Sequence, residues 1–184
     1  SARVRRELAI QLRHRDSTIA AAHWASLAAR HDGRDRWYLE ALGIGAEGQW
    51  PSFFSAWYQQ GKDLSVKANR DIIWRARCEQ ALQLLPSVIT HSSVTEQELP
   101  RYFRAFDFYP ASAARQRLLK QLLNGDHPLQ GQINTLALTH IDPKPARNDQ
   151  VVKTALQGVL QQRKGSLDFV RLIDRFSIRS YDKE

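Results

Sequence analysis

The 184-residue chain carries 27 Lys and Arg against 19 Asp and Glu, a net charge of +8, with 42% hydrophobic residues and five Trp, five Tyr and seven Phe. That content excludes a disordered chain, which lacks the apolar surface to offset its ordering entropy, and the length suffices for one domain with its own core. The lone Cys78 excludes an internal disulfide and any CxxC metal or redox motif while leaving the compartment open, and no apolar run approaches the ~20 residues of a membrane-spanning helix.

Helical spacing begins with Val4, Leu8 and Leu12 in "VRRELAIQLR", a stretch too charged for a signal peptide. Asp16 and Ser17 can cap the next helix, whose "AAHWASLAAR" lets neighbours approach closely and sets His23 half-buried beside Trp24. Asp32-Gly33 closes it. Asp35 can then cap a helix whose apolar face is Trp37, Leu39, Ala41, Leu42 and Ile44, and Gly43, Gly45 and Gly48 loosen and end it. Trp50, Phe53, Phe54 and Trp57 form an aromatic stripe on the following helix, packed closely through the small residues at 41, 43, 45 and 46, with each indole N–H turned to a carbonyl or water.

The stretch 61–71, "GKDLSVKANRD", reads as a surface excursion, and "RDIIWRARCEQALQLL" (70–85) as one helical stripe of Ile72, Ile73, Ala76, Ala81, Leu82 and Leu85. Thr95 and Glu98 form a capping-box pattern ahead of a helix over about 96–108. Ser112 opens another helix, closed by a left-handed cap at Asn124-Gly125. Leu129 to Ile141 precedes Pro143 and Pro145; Asn148 or Asp149 starts a helix ending at Gly165; Ser166 starts the last, with Leu167, Val170, Ile173 and Phe176 on one face. No run alternates like a strand. The fold expected is therefore all-α: an α-solenoid of stacked antiparallel helix pairs, HEAT- or armadillo-like, roughly nine or ten helices in a single domain over 1–184.

Three stretches, "DGRDRWYLEALGIGA", "IIWRARCEQAL" and "LPRYFRAFDF", resemble the helical-repeat region of large bacterial PVC-type haem-binding CxxCH proteins, over about residues 18–178. The resemblance implies a parent that is exported, or periplasmic, and joins a dehydrogenase-like propeller, a HEAT-repeat segment and a cytochrome c domain. The chain lacks methionine, even at its first position, and is expected to be a piece of such a protein. No haem module is expected within it, because Cys78 is followed by Glu79 and no CxxCH occurs; no cofactor is expected in this piece.

The six histidines (His14, His23, His31, His91, His127, His140) never form HxxxH or HExxH, so no metal site is expected; His31 and His127 read as helix caps or water ligands. "DGRD" and "NGDHP" read as turns, lacking calcium-loop spacing. Cys78, on or beside the Ile72 stripe, reads as a structural thiol. Ser52, Ser55, Ser92 and Ser93 lack a nucleophile-elbow context, and "GIGAEG" lacks the strand that a phosphate loop follows. The richest cluster is Arg36, Trp37, Trp74, Arg75, Arg77, Arg101, Tyr102 and Arg104, cations interleaved with aromatics that form either an interaction face or interhelical ties. Arg36 with Glu40 and Arg104 with Asp107 can pair within a helix.

Positive charge favours anionic partners, but Arg13, Arg30, Arg70, Arg163 and Arg175 lie dispersed, with no polybasic arm. The function expected is a non-catalytic scaffold that orients neighbouring domains or docks a protein partner. The alternative is a basic nucleic-acid binder resembling the helical-repeat alkylpurine DNA glycosylases, with Asp107, Glu40 or Asp71 as the acid.

Overall fold

Several helices start where the sequence supplies a side-chain oxygen for an orphaned first-turn N–H. In the computed structural model, which describes residues 1–15 and 18–178, Asp35 accepts from Tyr38 N at 2.9 Å, Ser112 from Arg115 N at 3.1 Å, Asp149 from Val151 N at 3.0 Å and Ser166 from Phe169 N at 3.2 Å. Asp16 and Ser17 lie outside the described residues.

The described residues form no strand. The helices are α1 (Ala2–Gln11), α2 (Thr18–Ala28), α3 (Arg36–Gly45), α4 (Trp50–Tyr58), α5 (Lys67–Arg75), α6 (Glu79–Ile89), α7 (Leu99–Arg104), α8 (Ala113–Gln121), α9 (Gln130–His140), α10 (Pro143–Ala146), α11 (Gln150–Gln162) and α12 (Leu167–Phe176). Short 3₁₀ turns, Leu12–His14 and Ala105–Phe108, extend α1 and α7. The protein is all-α, and none of these helices is long and apolar enough to cross a membrane.

The count exceeds nine or ten partly because the 70–85 stripe is two helices. Ala76 and Cys78 are extended (ψ 152° and 159°), and Arg77 Nη1 donates to the carbonyls of Trp74, Arg75 and Ala76 at 3.0, 2.9 and 2.7 Å, satisfying the end of α5. The apolar rhythm survives the break because Ile72, Ile73, Ala76, Ala81, Leu82 and Leu85 are buried on both sides of it. Cys78 accordingly precedes α6 rather than lying within a helix. Nor is 61–71 a mere surface excursion: α5 begins at Lys67, and Arg70 and Asp71 are buried.

The chain divides into two compact units, Ser1–Ser93 and Val94–Glu184. In the first, α1 packs on α3, α2 on α4, α3 on α5 and α4 on α6. Gly45 permits the close approach of α1 to α3, since a Cβ there would lie 2.0 Å from the Ala9 carbonyl oxygen. Trp24, Phe53, Phe54 and Trp57 are wholly buried; Trp24 Nε1 donates to Leu42 O at 3.0 Å and its ring meets Trp50 edge-on at 5.6 Å. The Trp57 Nε1 is buried and meets no protein acceptor among the described residues. His23 is exposed rather than half-buried. Trp37 and Ile44 are also exposed, unlike Leu39, Ala41 and Leu42; seven residues apart, they share the side of α3 turned from the core.

In the second unit, α9 packs against α7, α8, α11 and α12. Glu98 Oε2 accepts from Thr95 N at 3.0 Å, as a capping box requires, but the helix itself begins at Leu99, with Pro100 in its first turn where a missing N–H costs little. Asn124, at φ 57°, supplies the left-handed residue after α8. The buried side of α12 is centred on Leu172; Leu167 and Val170 are 75% and 60% exposed, so the expected face is rotated.

Candidate functional site

The cations and aromatics singled out in the sequence fall into both units. Arg36, Trp37, Trp74, Arg75 and Arg77 belong to the first; Arg101, Tyr102 and Arg104 belong to the second. Arg75 and Arg77 come together, at a cavity of about 390 Å³ that they line with Gly43, Ile44, Glu47, Gly48 and Trp50. The glycine-rich end of α3 shapes this cavity. Gly48, at φ 79°, turns the chain into α4 through a conformation that side chains resist. At Gly43 a Cβ would lie 2.2 Å from Arg75 Cζ, so the guanidinium rests against bare backbone. Its Nε donates to Glu40 Oε2 at 3.1 Å.

Trp37 is 69% exposed on α3, beside exposed Arg36, while Trp74 is half-buried. Tyr102 is fully buried and its hydroxyl donates to Glu98 at 3.5 Å; Arg101 is half-buried and Arg104 exposed. Glu40 and Asp107 take their partners from other elements rather than from their own helices. Glu40 takes Arg75 of α5, and Asp107 takes Arg115 at 3.6 Å and His140 at 2.9 Å.

The three candidate acids differ in setting. Asp71 is 2% exposed, with its Oδ2 2.8 Å from Lys67 Nζ and 3.3 Å from His31 Nε2. Lys67 also donates to Gly33 O at 3.0 Å, tying the turn before α3 to the start of α5. Next to it, Arg70 Nη1 holds the carbonyls of Leu64 and Ser65 at 2.8 and 2.9 Å. His31 thus belongs to a buried polar cluster, its Nε2 turned to Asp71. Sequence spacing missed this cluster; its one signal was the four-residue step from Lys67 to Asp71 beside Ile72.

Glu40 is partly exposed and held by Arg75, and the Asp107 side chain is 50% exposed. His140 stacks on Phe103 with ring centroids 5.9 Å apart; burial pushes its pKa below the ordinary imidazole value, and Asp107 counteracts this. Burial pushes the Cys78 thiol up, which makes it a poor nucleophile.

His127 Nδ1 accepts from Leu129 N at 3.1 Å, and Asp32 Oδ1 from Arg34 N and Asp35 N at 2.8 and 3.0 Å, so the "NGDHP" and "DGRD" stretches carry turn chemistry. Among the described residues no group of three or more His, Cys, Asp and Glu is placed to hold a metal ion. The chain matches no family model, no curated protein sequence and no solved structure. Chemically, both guanidinium groups of the α3–α5 face are engaged with their own chain, Arg75 with Glu40 and Arg77 with the carbonyls of Trp74, Arg75 and Ala76.

Proposed function

We propose that the chain is a non-catalytic helical-repeat scaffold, HEAT-like in its pairing of helices, within a larger exported haem c-containing, dehydrogenase-like protein. It orients neighbouring domains or docks a protein partner through the α3–α5 face. The observation that carries this reading is the use made of Arg75: it is pinned between the Gly43 backbone and Glu40, bracing α5 against α3. A guanidinium committed in this way stabilises the packing of its own chain and has less to offer a phosphate backbone. The resemblance of the "DGRDRWYLEALGIGA" stretch and its two companions supports the parent assignment.

Anisotropy titration of the protein against labelled single- and double-stranded DNA across a salt series tests the reading, with thermal melting of Arg75→Ala alongside. A scaffold is expected to bind DNA weakly, to lose it at moderate salt, and to melt several degrees lower without Arg75. A DNA complex that survives physiological salt, with affinity falling by about 10³ or more between 50 and 200 mM salt, and an unchanged melting temperature for Arg75→Ala would overturn it in favour of the nucleic-acid binder.

A further inference from the structure

The first sequence stripe, Val4, Leu8 and Leu12, is not spent on the core. Val4 and Leu8 are 56% and 53% exposed, whereas Ala9 on the other side of α1 is fully buried. The reason lies in how the first four helices pair. α1 packs on α3 and α2 on α4, while α1 and α2 touch each other little, so a groove runs between them. Its cavity is about 360 Å³.

One wall is Arg5, Leu8 and Leu12 of α1 and its 3₁₀ extension; the other is His23, Ser26, Leu27 and Arg30 at the end of α2. Both sets recur at three- and four-residue steps, so each is one helical face turned to the groove. The floor is leucine, and two arginines flank it.

Among the described residues, the fully charged side chains that line the groove, Arg5 and Arg30, have one sign. Residues 1–30 hold six arginines against Glu7 and Asp16, and among the described residues no carboxylate lines the groove. Arg6 and Arg13 of the same segment are neutralised by Asp35 and Glu47. Arg5 is instead held 5.5 Å over the Tyr38 ring with its Nε buried and without a hydrogen-bond partner, and neither Arg5 nor Arg30 has an ion-pair partner among the described residues. Leucines between two guanidinium groups that have no carboxylate partner among the described residues match an apolar stripe bordered by carboxylates.

We propose that this groove receives an amphipathic acidic helix of a partner protein, its apolar stripe on Leu8, Leu12 and Leu27 and its carboxylates on Arg5 and Arg30. The site shares no residue with the α3–α5 face. Docking of this kind uses apolar anchors at helical spacing for affinity and charge for orientation and encounter rate.

The test titrates the full chain into fluorescein-labelled helical peptides of about four turns: one with leucines on a single face flanked by glutamates, one of the same composition scrambled, and one with lysine for each glutamate. The patterned acidic peptide is expected to saturate and to shift backbone amides of α1 and α2, with the other two at least ~tenfold weaker, about 1.4 kcal/mol. Leu8→Asp, Arg30→Glu and the groove-filling Ser26→Phe are each expected to weaken it similarly while leaving the melting temperature unchanged, since these positions are exposed. Arg30→Glu is also expected to bring in the lysine peptide. Equal binding of patterned and scrambled peptides, amide shifts away from α1 and α2, or indifference to all three variants would overturn the proposal. Sedimentation of the chain as a dimer that Leu8→Asp dissociates would overturn it too, by making a second copy the occupant.

Discussion

The two units treat a carboxylate paired with histidine in opposite ways. Asp71 is sealed in the first, its side chain 3% exposed, with Lys67 and His31 closing over it. Asp107 stands half in solvent in the second, with a His140 side chain only 16% exposed leaning on it. A sealed charge depends wholly on its protein partners, because water cannot replace them; a half-exposed one is solvated whether or not its partners remain. The same pair of side chains therefore serves as a structural tie in one place and a titrating contact in the other.

Removing each carboxylate is the strongest way to break this comparison. Asp71→Ala leaves Lys67 and His31 without their shared acceptor and is expected to cost about 3–5 kcal/mol of unfolding free energy. Asp107→Ala is expected to cost under about 1 kcal/mol, as exposed pairs do. Urea unfolding followed by tryptophan fluorescence measures both, and equal losses would show that exposure does not govern the difference.

Glycine gives the next largest contrast, within the first unit. At Gly45 a Cβ would strike the Ala9 carbonyl, which is backbone, whereas at Gly43 it would strike the movable Arg75 guanidinium. Gly45→Ala is expected to cost about 2 kcal/mol through overpacking of α1 on α3. Gly43→Ala should come out near neutral, because displacing Arg75 is offset by roughly 1 kcal/mol of helix propensity. Thermal melts of the two variants check the order.

A smaller effect of about 1 kcal/mol is expected for Asp149→Ala, which uncaps α11 and frees Lys120, now 2.8 Å from the carboxylate. Circular dichroism melting reads this loss.

These residues also mark how much was legible in the sequence. Most caps were, because an N-cap acts through local spacing: Asp35, Ser112, Ser166 and, of the two candidates at 148 and 149, Asp149 accept from a first-turn N–H, whereas Thr95 does not start α7. The inward residues of α4 and of the α5–α6 pair were legible too, since apolar periodicity reports burial. It does not report continuity, so the break at Ala76–Cys78 was hidden: both flanking helices face the same core, and what ends α5 is the long reach of Arg77 to three carbonyls. Long-range ion pairs were hidden for a related reason. Glu40 has Arg36 within one turn on its own helix, yet pairs with Arg75, thirty-five residues on; only the packing of α5 on α3 decides between them. Of the arginine–aromatic cluster, the sequence showed composition but not which side each residue faces, and so grouped the fully buried Tyr102 with the exposed Trp37.

The smallest expected effect sharpens the comparison from the side of pH. Burial holds the folded-state pKa of His140 below its ordinary value, against the pull of Asp107 and with help from the positive charges of Arg115 and Arg175. The folded chain then binds fewer protons than the unfolded chain between the two values. Stability from this group is therefore complete above the unfolded imidazole pKa, about 6.5, and drains away as pH falls from there through the folded-state value. The difference in melting temperature between the parent protein and His140→Gln is expected to shrink along that descent and to be flat above neutrality. Asp107→Asn removes a contact that favours the imidazolium, so the folded-state pKa drops further and the window widens toward acid. Arg115→Gln acts oppositely and narrows it. An imidazole titration by NMR that moves upward on Asp107→Asn would mean that the carboxylate does not hold the imidazolium at all, and the half-open pair would then be as purely structural as the sealed one.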